Sequence, residues 1–389
     1  MKKMSIEKQE RLKRLTDEAG IISALAIDQR GALKKMINQY KEATSEDIIQ
    51  FKQMVSQYLT PYASAILLDP EYGLPAAALR EKECGLLLAY EKTGYDAKMP
   101  GRLPDLLNSW SVKRLKEVGA DACKFLLYYD VDEPVEINVQ KQIVIERIGS
   151  ECEAEGIPFF LELLSYDATI GDPSSLDYAK VKPHKVIEAM REFSKERYQA
   201  DVLKVEVPVN MRFVEGYGQD TCYSQAEASA YFYEQSKVTE QPFIFLSAGV
   251  SAALFQDTLR FAKQSGSTFN GVLCGRATWA KGVAPFVTEG EEKASSWMLE
   301  EGKQNIKELS TLLEETATSF VEGYGQDTCY SQAEASAYFY EQSKVTEQPF
   351  IFLSAGVSAA LFQDTLRFAK QSGVVNDIGS NKTIVVGIS

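Results

Sequence analysis

Three ionisable side chains stand inside apolar runs of the kind that form buried strands. Lys124 lies in Cys123-Lys124-Phe125-Leu126, Glu162 in Phe160-Leu161-Glu162-Leu163-Leu164, and Lys204 in Val202-Leu203-Lys204-Val205-Glu206. Asp28 closes a fourth run, Ala26-Ile27-Asp28, and is followed by Gln29 and Arg30. Buried ion pairs rarely add net stability over apolar residues of similar volume, so a purely structural role explains this set poorly. Amine catalysis suits it better. A lysine is a nucleophile only when deprotonated, and burial and a neighbouring cation both lower its pKa. Its attack on a ketone gives a carbinolamine and then an iminium ion that draws electrons from the adjacent carbons. A carboxylate must then move protons to and from the substrate. Glu206 shares the face of Lys204 by strand alternation, and a salt bridge explains it at least as well as catalysis does.

These residues need strands to hold them, and the chain offers eight short apolar runs separated by longer amphipathic stretches. The runs span Ile21–Asp28, Ser64–Pro70, Gly85–Glu91, Ala122–Tyr129, Pro158–Ser165, Val202–Pro208, Pro242–Gly249 and Gly271–Ala277. Helical patterns fall between them over 103–120 and over 140–156, the second ending at Gly156 as a C-cap. A closing helix is expected over Glu291–Thr316. Eight strands with outer helices predict an α/β fold, a (β/α)8 TIM barrel. Lys124, Glu162 and Lys204 then sit on its fourth, fifth and sixth strands, neighbours around one cavity. Barrels often bind phosphate with the loops after strands seven and eight. Here those loops carry Ser247, Gly249, Gly275 and Arg276, which combine close backbone approach, helix N-termini and a positive charge.

Composition removes several alternatives. The 389 residues carry a net charge of −13, which argues against nucleic acid or an anionic membrane as a partner. The one histidine, His184, cannot supply a multi-imidazole zinc site, and no metal or other cofactor is implied. Its surroundings, Lys180 to Lys185, read as the basic entry to a helix with Pro183 in or near the first turn. Six cysteines form no C-x-x-C pair and read as buried, reduced thiols. Residues 1–19 are charged and helix-like, with Leu12, Leu15 and Ala19 on one stripe, and no leader or long apolar span is evident. A cytoplasmic protein is expected.

One feature breaks the pattern. Residues Phe213 to Gly266 recur without a change at Phe320 to Gly373, followed by a tail, VVNDIGSNKTIVVGIS. The copy offers a ninth strand, Pro349–Gly356, that a closed barrel has no edge to accept. One barrel is therefore expected over 1–318. The duplicated segment and tail, 319–389, are expected to be loosely docked, disordered or swapped rather than an independent domain.

The segments ALAIDQRGAL, SAILLDPEYG, LLLAYEKTGYD, KFLLYYD, FFLELLSYD, VLKVEVPVN, FLSAGVSA and GVLCGRATWA resemble class I tagatose 1,6-bisphosphate aldolases. The likeness runs from about residue 5 to residue 318. It implies cleavage of D-tagatose 1,6-bisphosphate to dihydroxyacetone phosphate and D-glyceraldehyde 3-phosphate, a step of lactose and galactose use. By motif, Lys204 would be the Schiff-base lysine and Glu162 the proton-transfer carboxylate. Lys124, Asp28 and Gln29 would orient substrate and tune the amines. Ser247, Gly249, Gly275 and Arg276 would hold the phosphate beside the ketone, with Arg30 assigned to the second. A fructose-bisphosphate or other ketose-phosphate aldolase stays open as an alternative, as does a sugar-phosphate sensor without turnover. The resemblance is compatible with a homodimer, although no apolar surface stripe in the sequence argues for one.

Overall fold

Each expected run forms a strand, the fourth at its full length and the others trimmed at one or both ends: β1 Ile22–Ala26, β2 Ala65–Leu68, β3 Gly85–Ala89, β4 Ala122–Tyr129, β5 Phe159–Ser165, β6 Val202–Val205, β7 Phe243–Leu246 and β8 Gly271–Cys274. In the computed structural model these strands pair in parallel in chain order, and β8 pairs back onto β1 to close the barrel. The structure describes residues 4–92, 94, 99–247 and 249–320, with the backbone of Phe350–Leu353 and Thr383–Val386. The strands are covered on both faces, by side chains inside and helices outside, so their sequences read as nearly unbroken apolar runs. Closure needs a glycine at one point. A Cβ on Gly271, whose φ is 141°, would lie 2.1 Å from the carbonyl oxygen of Ile22 on β1.

The helices follow local signals, with departures. The helix Val135–Glu155 ends on Gly156 in the left-handed conformation, as expected, but begins upstream of residue 140. The pattern over 103–120 is helical only at Val112–Glu117, where Ser111 caps the first turn. The closing helix runs as Glu291–Trp297, a π turn at Met298–Gly302, and Lys303–Thr316. At the N-terminus the helix is Ile6–Lys13; Leu12 and Leu15 are buried, but Ala19 is exposed beyond its end.

Pro183 does not open a helix. It lies inside Leu176–Phe193, which starts on the Ser175 cap. A proline there leaves the carbonyl of Ala179 without its helical donor. The Tyr223 hydroxyl supplies a donor instead, at 3.2 Å from the Ala179 oxygen and 2.8 Å from that of Lys180.

The barrel closes on eight strands. Of the copied segment, Phe350–Leu353 is a strand, and it pairs in parallel with Thr383–Val386, a tail strand not anticipated from the sequence. The rest of the copy, with Cys329 and the repeated Ser354-Ala355-Gly356, lies outside the described residues, as do the expectations about its docking. The chain divides into two compact units, Met1–Val321 and Glu322–Ser389. No helix among the described residues is long and apolar enough to cross a membrane. Cys84, Cys123, Cys152 and Cys274 are buried free thiols and Cys222 is half-buried.

Candidate active site

Strand register assembles the charged residues. Glu162 on β5 is directly opposite Lys204 on β6, and Ala89 at the end of β3 is opposite Lys124 on β4. Glu162 bridges the two lysines: its Oε1 is 2.9 Å from Lys204 Nζ and its Oε2 is 2.7 Å from Lys124 Nζ. Lys124 Nζ also donates to Asp28 Oδ2 at 2.9 Å and to Glu91 Oε1 at 2.6 Å. Lys124, Glu162 and Lys204 are buried, and the Asp28 side chain is only 12% exposed.

Glu91 belongs to this constellation and was not singled out from the sequence. Its signal was visible, since it closes the third apolar run as Asp28 closes the first. Its Oε2 accepts from the backbone N–H of Leu126, which fixes the carboxylate against β4. A further buried pair, Lys52 with Asp69, stands behind β1 and β2, and Lys52 Nζ donates to the carbonyl of Ile27 at 2.6 Å. Lys52 lies mid-helix, where periodicity gives no hint that a lysine turns inward.

The electrostatics separate the two lysines. Burial alone would depress the pKa of Lys124, but Asp28, Glu162 and Glu91 together hold it well above the ordinary lysine value. Burial pushes Glu162 up, and Lys124 and then Lys204 overcome this and lower it. Asp28 is likewise held well below the usual carboxylate range, against burial, by Lys124 first and Lys204 second. Lys124 is thus a fixed cation. Lys204 has one ion-pair partner among the described residues, Glu162, so the two amines are not equivalent.

The loops after β7 and β8 meet. Gly249 has φ 76°, and a Cβ there would lie 2.6 Å from Nη2 of Arg276. The exposed guanidinium therefore packs directly over the glycine. Ser247 is buried and hydrogen-bonds Cys274 at the end of β8. Burial pushes that thiol up to about 12, against the Ser247 bond and the charge of Lys204. Gln29 lies against Gly275, where an added Cβ would be 3.3 Å from its Nε2, and its buried Oε1 has no hydrogen-bond partner among the described residues.

The remaining sequence candidates make other contacts. Arg30 is buried and engaged by Glu71 and by the carbonyl of Glu91, at 2.8 Å from the latter. Glu206 turns from the lysines to Lys182, at 3.1 Å, and accepts from the N–H and hydroxyl of Ser165. His184 is exposed and pairs with exposed Asp132 at 3.1 Å.

Residues 22–281 match the family model described as DeoC/LacD family aldolase. Tagatose 1,6-diphosphate aldolase 1 of Enterococcus faecalis is 66% identical over 322 residues, covering 83% of this chain and 99% of that protein. Tagatose 1,6-diphosphate aldolase 1 of Streptococcus mutans is 60% identical, covering 81% and 98%. Among solved structures, the fructose-bisphosphate aldolase of Plasmodium falciparum superposes with a TM-score of 0.60 at 16% identity, covering 82% of this chain and 98% of that one, a likeness of fold. The chain belongs to the DeoC/LacD family of aldolases.

Proposed function

We propose that this chain is a class I aldolase that cleaves a phosphorylated ketose, D-tagatose 1,6-bisphosphate, to dihydroxyacetone phosphate and D-glyceraldehyde 3-phosphate. One observation carries the mechanism: a single carboxylate, Glu162, touches both a lysine locked as a cation by three carboxylates and a second lysine that has no other carboxylate partner among the described residues. A permanently protonated amine cannot attack a carbonyl, so Lys204 is the nucleophile and Lys124 the electrostatic helper. Lys204 Nζ adds to the C2 ketone, and loss of water gives the iminium. Glu162 takes the proton of the C4 hydroxyl, the C3–C4 bond breaks, and its electron pair neutralises the iminium as an enamine. The aldehyde leaves, C3 is protonated, and hydrolysis frees Lys204 and the ketone product.

The Gly249–Arg276 junction receives the phosphate next to the ketone, with Ser247 and Gly275 beside it. Asp28 and Glu91 keep Lys124 charged, and Gln29 offers its unpartnered oxygen toward the substrate. The duplicated segment is not assigned a second site. Borohydride reduction in the presence of dihydroxyacetone phosphate, followed by peptide mapping, tests the reading. A reduced adduct on Lys204 is expected; an adduct on Lys124 would reverse the roles, and none in a folded chain would refute Schiff-base chemistry.

A further inference from the structure

Two columns of side chains rise from the lysine cluster toward the C-terminal mouth of the barrel. Lys124, Leu126 and Tyr128 alternate onto one face of β4, and Glu162 and Leu164 do so on β5; Tyr166 follows the end of β5, its hydroxyl accepting from Lys141 Nζ at 2.8 Å and donating to Glu133 at 2.6 Å. The intervening residues Phe125, Leu127, Tyr129, Leu161 and Leu163 pack outward into the hydrophobic core. Tyr128 therefore tops the β4 column, about 13 Å along the strand from the level of Lys124.

Arg102, from the connection between β3 and β4, lies over both rings. Its guanidinium carbon is 3.4 Å from the Tyr128 ring centroid and 5.9 Å from that of Tyr166. Nη2 donates to the carbonyl of Gly94 at 2.9 Å, while Nε is buried with no hydrogen-bond partner among the described residues. Among the described residues no carboxylate pairs with it, whereas Arg30 is committed to Glu71. Its φ of 41° is also unusual for a residue with a side chain. Such strain persists only where the surroundings enforce it, and it clusters at functional positions. A cation stacked on aromatic faces, with donors unspent, is suited to receive an anion.

We infer that Arg102 binds the terminal phosphate on the aldehyde half of the substrate and so selects ketose bisphosphates over ketose 1-phosphates. The inference rests on the aldolase reading above. The two phosphates then bind on opposite sides of the barrel, one at β7–β8 and one above β4–β5.

The test is the ratio of kcat/KM for the ketohexose 1,6-bisphosphate to that for the ketohexose 1-phosphate, in wild type and Arg102→Gln. A misfolded fraction scales both rates equally, so it leaves the ratio alone. The ratio is expected to fall about 10- to 100-fold, the loss of one charge-assisted contact, with Arg102→Lys intermediate. An unchanged ratio would overturn the assignment. Borohydride labelling with dihydroxyacetone phosphate, which lacks the terminal phosphate, runs alongside. Label on wild-type Lys204 with an unchanged ratio overturns only the Arg102 role; no label on wild type overturns the aldolase reading and this inference with it.

Discussion

Lys124→Met keeps most of the side-chain volume and removes the one cation that three carboxylates share. Asp28, Glu91 and Glu162 oxygens lie 2.9, 2.6 and 2.7 Å from its Nζ. Without the ammonium they face one another in a buried site, and like charges so close do not all remain ionised. Placing one proton on a carboxyl of ordinary pKa about 4.3 costs about 3.7 kcal/mol at pH 7 and about 1 kcal/mol at pH 5, at 1.36 kcal/mol per pH unit. The sign differs between the two proteins. In the wild type Asp28 and Glu162 have lowered folded-state pKa values, so their contribution is complete above the unfolded values and fades only as pH falls through the folded ones. In the variant the neutralised carboxyl has a raised folded-state pKa, so destabilisation grows as pH rises from 5 to 7. Thermal melts of both proteins at one scan rate should show a Tm gap of about 2 °C at pH 5 widening to about 7 °C at pH 7, taking about 2 °C per kcal/mol. A gap independent of pH would refute the view that Lys124 is held charged by, and neutralises, these carboxylates.

Three further substitutions separate the proposed roles. Glu162→Gln should lower cleavage by about 10²- to 10⁴-fold while dihydroxyacetone phosphate still traps on Lys204, and full activity would remove Glu162 from proton transfer. Arg276→Ala should raise the dihydroxyacetone phosphate concentration needed for half-maximal trapping by about 10- to 100-fold; no change would place the ketone-side phosphate elsewhere. Tyr223→Phe removes the donor to the carbonyls around Pro183 and should cost about 1 kcal/mol of stability with kcat/KM unaltered, which melting curves and initial rates would check.

The strands were legible because a parallel barrel buries both faces of each, leaving runs that a helix period does not mimic. Lys124, Glu162 and Lys204 were legible for the same reason, since a charge inside such a run has nowhere to go but the cavity. Glu91 carried the same signal as Asp28, an acidic residue closing an apolar run, and what set it in the site is its bond to Lys124, which the run alone does not show. Lys52 escaped because a helix always offers a lysine a solvated face, and only the placement of Asp69 and the Ile27 carbonyl turns it inward. The helix through Pro183 was misread because the proline's missing bond is compensated by Tyr223, distant in sequence. The relation of Arg102 to Tyr128 depends on how one loop folds over a strand end, which no periodicity encodes.

Where the barrel ends along the chain is also decided by contacts rather than by the helix pattern. The last helix stops at Thr316, but the segment after it still ties the N-terminal ends of three strands together. Thr318 N–H donates to the carbonyl of Phe269 at 2.8 Å, and its own carbonyl accepts from Asn270 Nδ2 at 2.9 Å. Asn270 in turn accepts from the N–H of Phe243 at the start of β7, while its carbonyl accepts from Ile22 on β1. Phe320 is 4% exposed, and its N–H donates to the carbonyl of Gly20 at 2.7 Å. A chain ending at Phe320 keeps all of these, whereas one ending at Thr316 loses four hydrogen bonds, counting that of the Ala317 N–H to the Leu313 carbonyl, and one buried aromatic ring. At about 1 kcal/mol per bond and about 2 kcal/mol for the ring, the shorter chain should be about 6 kcal/mol less stable. Equal melting temperatures for the two truncations would show that the barrel is complete at its last helix, and that residues 317–320 contribute nothing to closing β8 onto β1.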